Sequence, residues 1–138
     1  MEESERYFRL DPEGVAEAPG RYVDIVSDVE GVEFLPGLVF RPVLGKDLML
    51  SFVSYEPHTE APRHAHAEEQ ILYVLEGELE VDLGDETRVL RPGQAAVIPP
   101  HLPHAARTHE LPCYQLDVFH PPRQGLLDAM QRRSAPPE

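Results

Sequence analysis

The most constraining feature of this chain is a small set of metal-binding side-chain types at fixed spacing. His64 and His66 are separated by one residue, Gln70 follows four positions later, and His104 comes after a Pro-Gly turn and a short apolar run. In an extended strand, side chains alternate between faces, so His64 and His66 point the same way and can offer two imidazole nitrogens to one ion. The spacing predicts a divalent metal site, in a fold that brings distant strands together.

Length and charge exclude several classes of partner. The chain has 138 residues, which suits one domain, and 12 Lys and Arg against 25 Asp and Glu give a net charge of −13. Such a charge repels phosphate backbones and anionic lipids, so we expect neither nucleic acid nor membrane partners. One cysteine, Cys113, cannot form an intrachain disulfide, and the start of the chain resembles no secretory signal, so we expect a cytoplasmic protein.

The pattern of apolar residues is typical of β-structure. Fifteen prolines and nine glycines divide the chain into short pieces. In residues 78–83 acids alternate with Leu79, Val81 and Leu83, which predicts a half-buried strand, and 87–90 is its expected hairpin partner. Further strands are predicted at 40–44, 48–55, 71–76, 95–98 and 114–119, with the first two paired. Short strands at this spacing indicate a sandwich or a barrel.

The two ends of the chain differ from this pattern. Residues 1–35 are acidic and interrupted by Gly and Pro, so we expect an irregular arm with one edge strand around 22–26. Residues 36–123 are assigned to the barrel. Residues 125–133 predict a short helix and 134–138 a loose tail, so 124–138 form a C-terminal helix and tail.

The candidate metal site has an expected geometry. Residues 67–69 have the length of a hairpin connection, so Gln70 is expected to begin the antiparallel neighbour opposite the histidine pair and to offer its amide oxygen. Glu68 and Glu69 are interpreted as a solvated turn. His104 comes from a distant strand, as a barrel allows. Three nitrogens, one neutral oxygen and an open position suit Lewis-acid chemistry better than a closed structural site.

The stretch from His64 to His104 resembles the two conserved motifs of the cupin superfamily. The first motif corresponds to His64, His66, Gln70 and Gly77. The second corresponds to Gly93, Pro99, His101 in a position where glycine is usual, and His104. The resemblance implies an all-β, single-domain double-stranded β-helix, the cupin jelly-roll barrel, with a short C-terminal helix and a metal at one mouth.

A narrower resemblance is to the pectin-degradation cupins, which open the ring of 4,5-unsaturated uronates. It is carried by the segments EQILYVLEGELEV and LDVFHPPR, which contain Gln70, Asp117, Phe119 and Arg123. It implies that His64, His66, Gln70 and His104 bind one divalent transition metal, with Zn, Ni, Fe, Mn and Cu all open. It also implies that Asp117 shuttles a proton, Arg123 clamps a carboxylate and Phe119 forms a wall beside the sugar.

Two other function classes stay open at this point. A metal-dependent cupin dioxygenase is one, although the Fe(II) facial triad uses a carboxylate where Gln70 stands. A non-catalytic cupin that binds a small ligand is the other, because one fold hosts many functions. For partners, we expect a small anionic substrate such as a sugar acid, and a second copy of the chain in a homodimer.

Overall fold

The structure, a computed structural model, describes residues 2–9 and 14–134. Within these residues the chain forms three helices and ten strands. The helices are α1 Glu3–Tyr7, α2 Ile25–Asp28 and α3 Gln124–Ser134. The strands are β1 Val32–Leu35, β2 Leu38–Leu44, β3 Met49–Tyr55, β4 Glu60–His64, β5 Glu69–Gly77, β6 Leu79–Leu83, β7 Glu86–Leu90, β8 Ala95–Ile98, β9 His104–Arg107 and β10 Cys113–His120.

The strands form two antiparallel sheets. The six-stranded sheet has the order β1-β2-β3-β10-β5-β8, and the four-stranded sheet has the order β4-β9-β6-β7. The predicted pairing of β2 with β3 and the predicted hairpin of β6 with β7 are both confirmed. Because β10 lies between β3 and β5, and β9 between β4 and β6, strands distant in sequence become neighbours. This is the double-sheet jelly roll that the sequence predicts.

The core lies between the two sheets. Along β3 and β10, buried and more exposed residues alternate, as expected for strands with one face toward the interior. The central apolar cluster includes Leu38, Val53, Leu72, Val74, Leu79, Val81, Ile98 and Ala106. Burying a side chain the size of Val or Leu contributes about 1.5–3 kcal/mol to folding, so this cluster holds the two sheets together.

The N-terminal segment differs from its prediction. The edge strand expected around residues 22–26 is wrong, because α2 begins there instead. The Asp24 carboxylate accepts hydrogen bonds from the Val26 and Ser27 amides at 2.9 and 3.1 Å, and this N-cap outweighs the β-propensity of Val26. The strand of this segment is β1, which pairs with β2 and adds an edge to the larger sheet.

The predicted C-terminal helix is confirmed as α3, and it covers one end of the barrel. Leu126 and Ala129 are buried on it and pack with Val32, Met49 and Phe119 in a second apolar cluster. The tail predicted after the helix lies, from residue 135 onward, outside the described residues. None of the helices within the described ranges is long and apolar enough to cross a membrane.

Candidate metal centre and its cavity

The three motif histidines converge at one end of the barrel. His64 ends β4 and pairs directly with His104 at the start of β9, while His66 follows β4 by two residues. Their ring centroids are 4.3 Å apart for His64 and His104, 4.9 Å for His66 and His104, and 5.5 Å for His64 and His66. One ring nitrogen from each lies within 4.8 Å of the others, so the three could hold one metal ion.

Main-chain carbonyl groups fix the protonation of all three imidazoles. Each Nδ1 atom faces a carbonyl oxygen, at 2.8 Å from Pro62 for His64, 3.0 Å from Glu68 for His66 and 2.8 Å from Leu102 for His104. A carbonyl oxygen can only accept, so each Nδ1 carries a proton, and in the neutral ring Nε2 then has the free lone pair. His104 Nε2 is buried and has no hydrogen-bond partner among the described residues.

Gln70 adds an oxygen to this group. Its amide nitrogen donates to Asp117 Oδ1 at 2.8 Å, and its amide oxygen lies 3.1 Å from His66 Nε2. Since His66 donates through Nδ1, these two atoms are both acceptors, and a cation between them would relieve the conflict. Three imidazole nitrogens and one amide oxygen are a donor set that fits a divalent transition metal.

Gln70 reaches this point by a different route from the one expected. The prediction that it lies opposite His64 and His66 in a hairpin is wrong. β4 pairs with β9 in the smaller sheet, whereas Gln70 pairs with Phe119 and Ile98 in the larger sheet. Residues 65–68 therefore cross from one sheet to the other, and the side chains meet across the barrel interior.

Burial keeps His66 and His104 in the neutral form that can bind a metal. Removal from water lowers the pKa of His104 to about 4, and the neighbouring His64 acts in the same direction. The pKa of His66 is also lowered, first by burial and then by the nearby Arg123 guanidinium. Both rings are therefore neutral at physiological pH, with their lone pairs available.

Asp117 is a buried carboxyl group beside the triad. It is 2% exposed and accepts hydrogen bonds at Oδ1 from the side-chain amides of Gln70 and Gln115, at 2.8 and 2.9 Å. Burial raises its pKa to about 7, although both hydrogen bonds act in the opposite direction. A carboxyl group of this kind can both give and take a proton near neutral pH.

Glu68 is the residue of this region that the sequence interpretation missed. The prediction of a solvated turn is wrong for Glu68, which is 6% exposed, whereas its neighbour Glu69 is exposed. The Glu68 carboxylate lies 3.5 Å from His66 Nδ1 and 3.8 Å from Arg123 Nη1, and it accepts a hydrogen bond from the Gln124 amide at 2.8 Å. A crossover segment has no repeating pattern, so the sequence carried no signal that Glu68 points inward.

The histidines open into a cavity of about 390 Å³. Gln70, Asp117, Phe119 and Arg123 all line it. The remaining wall is largely apolar and includes Phe34, Leu35, Leu38, Phe40, Leu72, Val81, Ala105, Ala106 and Leu126. Phe119 belongs both to the apolar cluster under α3 and to this wall, where its ring lies 5.8 Å from that of His66.

The other motif histidine, His101, has a main-chain role. Its φ of 68° is in the left-handed region that favours glycine, which explains why glycine is usual at this motif position. Its main-chain amide donates to the His66 carbonyl at 2.8 Å and so ties the loop before β9 to the metal-site segment. The residue is exposed, and it does not belong to the cavity wall.

The chain is similar to known proteins in sequence and in structure. Residues 51–119 match the Cupin_2 family, a cupin domain. The structure of KdgF from a Halomonas species is similar, with a TM-score of 0.66 and 33% identity over 70% of this chain and 92% of that chain. An RmlC-like cupin from Shewanella frigidimarina has a TM-score of 0.70 and 26% identity, over 78% of this chain and 96% of that chain.

A further relative is known by sequence. The H2HPP isomerase of Bacillus subtilis is 44% identical over 62 residues, which are 44% of this chain and 25% of the isomerase. The chain thus matches about a quarter of that relative. The jelly-roll topology, the histidine triad at one end of the barrel and these matches together show that the chain belongs to the Cupin_2 family of the cupin superfamily.

Proposed function

We propose that this cupin is a metal-dependent enzyme that opens the ring of a 4,5-unsaturated uronate, with Asp117 as the proton shuttle. The observation that carries the proposal is the position of Asp117, a buried carboxyl with a pKa of about 7 that lines the cavity beside the histidine triad. The resemblance to the pectin-degradation cupins and the 33% identity to KdgF support the same assignment.

His64, His66, His104 and Gln70 would hold the metal through three Nε2 atoms and one amide oxygen. These four side chains carry no charge, so a divalent ion would keep its full charge toward the cavity and would polarise an oxygen atom of a bound substrate. An anionic ligand is favoured there for the same reason. The positions of these four side chains would determine the end of the cavity at which the substrate oxygen atoms bind.

The reaction needs one proton to move between two places on the substrate. A 4,5-unsaturated uronate is a cyclic enol ether with a hydroxyl group at its anomeric carbon. Removing that hydroxyl proton lets the bond between the anomeric carbon and the ring oxygen break, which leaves an aldehyde and an enolate. Protonation of the alkene carbon then gives the open-chain keto acid, so no atom is gained or lost. Asp117 can accept the first proton and deliver the second.

Arg123 and Phe119 have binding roles in this proposal. Arg123 precedes α3 and lines the cavity with a side chain that is 27% exposed, so its guanidinium can reach a substrate carboxylate. Phe119 offers an aromatic face to the carbon-hydrogen face of the sugar ring. Together they would fix the substrate carboxylate at the cavity mouth and the ring beside Asp117.

The test is turnover by the metal-loaded protein. Unsaturated galacturonate is added, and loss of the alkene absorbance is followed while metal content is measured on the same sample. Asp117→Asn should lower kcat by about 10²-fold or more and keep the metal, whereas Asp85→Asn in an exposed turn should match wild type. Metal-loaded wild-type protein that leaves the absorbance unchanged would refute ring opening.

The apolar wall favours a second candidate. Most of the cavity lining carries no hydrogen-bonding side chain, which suits a substrate with an apolar ring better than one with several hydroxyl groups. A metal-dependent isomerase of an apolar keto acid would use the same proton shuttle, and the relative from Bacillus subtilis is an isomerase. Catalysed enolisation of phenylpyruvate, measured beside the uronate assay, would favour this candidate.

We also propose that the protein is a homodimer through the outer face of its larger sheet. One cross-strand row on this face is apolar in five adjacent strands, formed by Val43, Leu50, Val118, Ile71 and Val97. Ile71 and Val97 are 42% and 60% exposed. Phe52, Leu116 and Tyr73 continue the surface in the next row. Arg41, the cross-strand partner of Phe52, lies at the β2 end of this second row. A broad apolar patch on a sheet face suits a copy of itself, related by a two-fold axis.

A further inference from the structure

Glu68 has a carboxyl side chain that is almost completely shielded from solvent. It is 6% exposed, and its pKa is lowered even though burial acts to raise it. The opposing causes are the hydrogen bonds from the Gln124 main-chain amide and from its own amide, and the charge of Arg123. A carboxyl group shielded from water needs hydrogen-bonding partners, so the Gln124 amide, His66 and Arg123 around it define what the residue does.

One side of Glu68 contacts the candidate metal site. Its main-chain oxygen accepts from His66 Nδ1 at 3.0 Å, and its carboxylate Oε1 lies 3.5 Å from the same nitrogen. Acceptors at this nitrogen hold the imidazole in the tautomer with a free Nε2 lone pair and also fix the angle of the ring. Glu68 thus controls the atom that His66 would offer to a metal.

The other side of Glu68 contacts the start of α3. Its Oε2 accepts from the main-chain amide of Gln124, the first residue of the helix, at 2.8 Å. The Arg123 carbonyl, immediately before, accepts from the Leu126 and Leu127 amides at 3.1 Å and so caps the same turn. Arg123 Nη1 lies 3.8 Å from Oε1 of the same carboxylate. The first turn of α3 and the Arg123 side chain therefore both contact the Glu68 carboxylate.

We infer that Glu68 is a positioning residue that couples occupancy of the metal site to the docking of α3 and the placement of Arg123. The inference rests on the proposed metal site but not on ring opening. A metal held by His66 restricts the ring, the ring restricts Glu68, and Glu68 restricts the first turn of α3. Because binding coupling is reciprocal, a helix that is released from Glu68 weakens the metal site in turn.

The experiment uses Zn²⁺ as the probe and needs no substrate. Zinc affinity is measured by competition with a chelator, and amide hydrogen exchange of α3 is measured with and without Zn²⁺. In wild type, Zn²⁺ should slow the exchange of α3. Glu68→Leu removes both side-chain oxygens and should weaken zinc binding by about 10- to 100-fold and abolish that protection. Glu69→Leu, which makes the same change at the exposed neighbouring acid, should match wild type in both readouts.

A second variant separates the two contacts. Gln124→Pro removes the amide that Glu68 binds on the helix side, together with the exposed side-chain hydrogen bond from Gln124 to Asp128, at a position where proline is compatible with a helix start. It should weaken zinc binding less than the change at Glu68 does, because the contact between Glu68 and His66 is kept, and it should lose the Zn²⁺-dependent protection of α3. Unchanged exchange in β5 and β10 shows that the barrel is intact in each variant.

Two results would overturn the inference. One is wild-type zinc affinity in Glu68→Leu, and the other is α3 protection by Zn²⁺ that survives in both Glu68→Leu and Gln124→Pro. Absence of uronate turnover in the wild-type protein refutes ring opening alone, because neither readout depends on catalysis. The two proposals can therefore fail separately.

Discussion

The side-chain amide of Gln70 donates a hydrogen bond to Oδ1 of Asp117 at 2.8 Å. An amide has its nitrogen and oxygen on opposite sides, so this bond turns the Gln70 oxygen toward His66 Nε2, 3.1 Å away. Asp117 thus orients the proposed fourth metal ligand as well as facing the cavity. A substitution that removes the side-chain acceptor at Asp117 should therefore weaken metal binding. Asp117→Asn keeps an oxygen that can accept from Gln70, so it should lose proton transfer and retain the metal.

The first prediction concerns Gln70 as a ligand. Gln70→Leu removes the amide oxygen and should weaken Zn²⁺ binding by about tenfold or more, measured by chelator competition. Gln115→Leu is the matched control, since Gln115 donates to the same Asp117 oxygen at 2.9 Å but does not contact the histidines by hydrogen bonds. Equal loss of affinity in the two variants would mean that Gln70 acts only through Asp117.

The second prediction concerns the pH dependence that Asp117 gives to the metal-free protein. Its folded pKa of about 7 lies above its ordinary value of 3.8, so the folded chain holds a proton that the unfolded chain has released. The stability from this group is present below pH 3.8 and is lost as the pH rises to 7. The full effect is on the order of 4 kcal/mol.

Asp117→Asn removes this effect. In chelator-treated protein, the free energy of unfolding of Asp117→Asn minus that of wild type should rise steadily between pH 4 and pH 7. Urea denaturation at each pH measures both values. A difference between the two proteins that stays constant over this interval would contradict the raised pKa.

The third prediction concerns His104 and has the opposite sign. Its folded pKa of about 4 lies below its ordinary value of 6.5, so the unfolded chain binds a proton that the folded chain does not. Stability from this group is present above pH 6.5 and is lost as the pH falls to 4. Relative to metal-free wild type, His104→Gln should therefore gain stability as the pH falls from 6.5 to 4. If His104→Gln instead lost stability relative to metal-free wild type as the pH falls from 6.5 to 4, a neutral, buried imidazole would be refuted.

The fourth prediction concerns the outer sheet face. Ile71→Glu places a charge within the apolar row and should convert the protein to a monomer, measured by sedimentation velocity. Val89→Glu is the control, because Val89 is similarly exposed at 40% but lies on β7 in the other sheet. Wild-type protein that sediments as a monomer, or an Ile71→Glu dimer, would contradict the proposed interface.

The sequence was a good guide where a local pattern reported a local structure. The alternation of Leu79, Val81 and Leu83 with acids predicts β6 because a strand with one buried face needs a period of two. It was a poor guide where long-range packing decides. The length of the connection at 67–69 predicts the wrong neighbouring strand for Gln70, because length alone does not distinguish a hairpin turn from a crossover between sheets.

Two other differences have the same origin. Glu68 is buried because α3 and Arg123 close over it, and α3 is more than fifty residues away in sequence. The segment around Asp24 has residues suited to a strand, yet one side-chain cap starts a helix there. Contacts between residues far apart in the chain produce no periodic pattern in the sequence. A segment whose residues suit both a strand and a capped helix does not show one either.

The central claim is that three imidazole nitrogens and one amide oxygen hold a single metal ion at one end of this barrel. Its most direct test is elemental analysis of protein purified, loaded with Zn²⁺ and dialysed, for wild type and for His104→Ala. We predict one zinc per chain in wild type and a large loss in the variant. Wild-type protein that retains no zinc, or equal retention in both proteins, would contradict the claim.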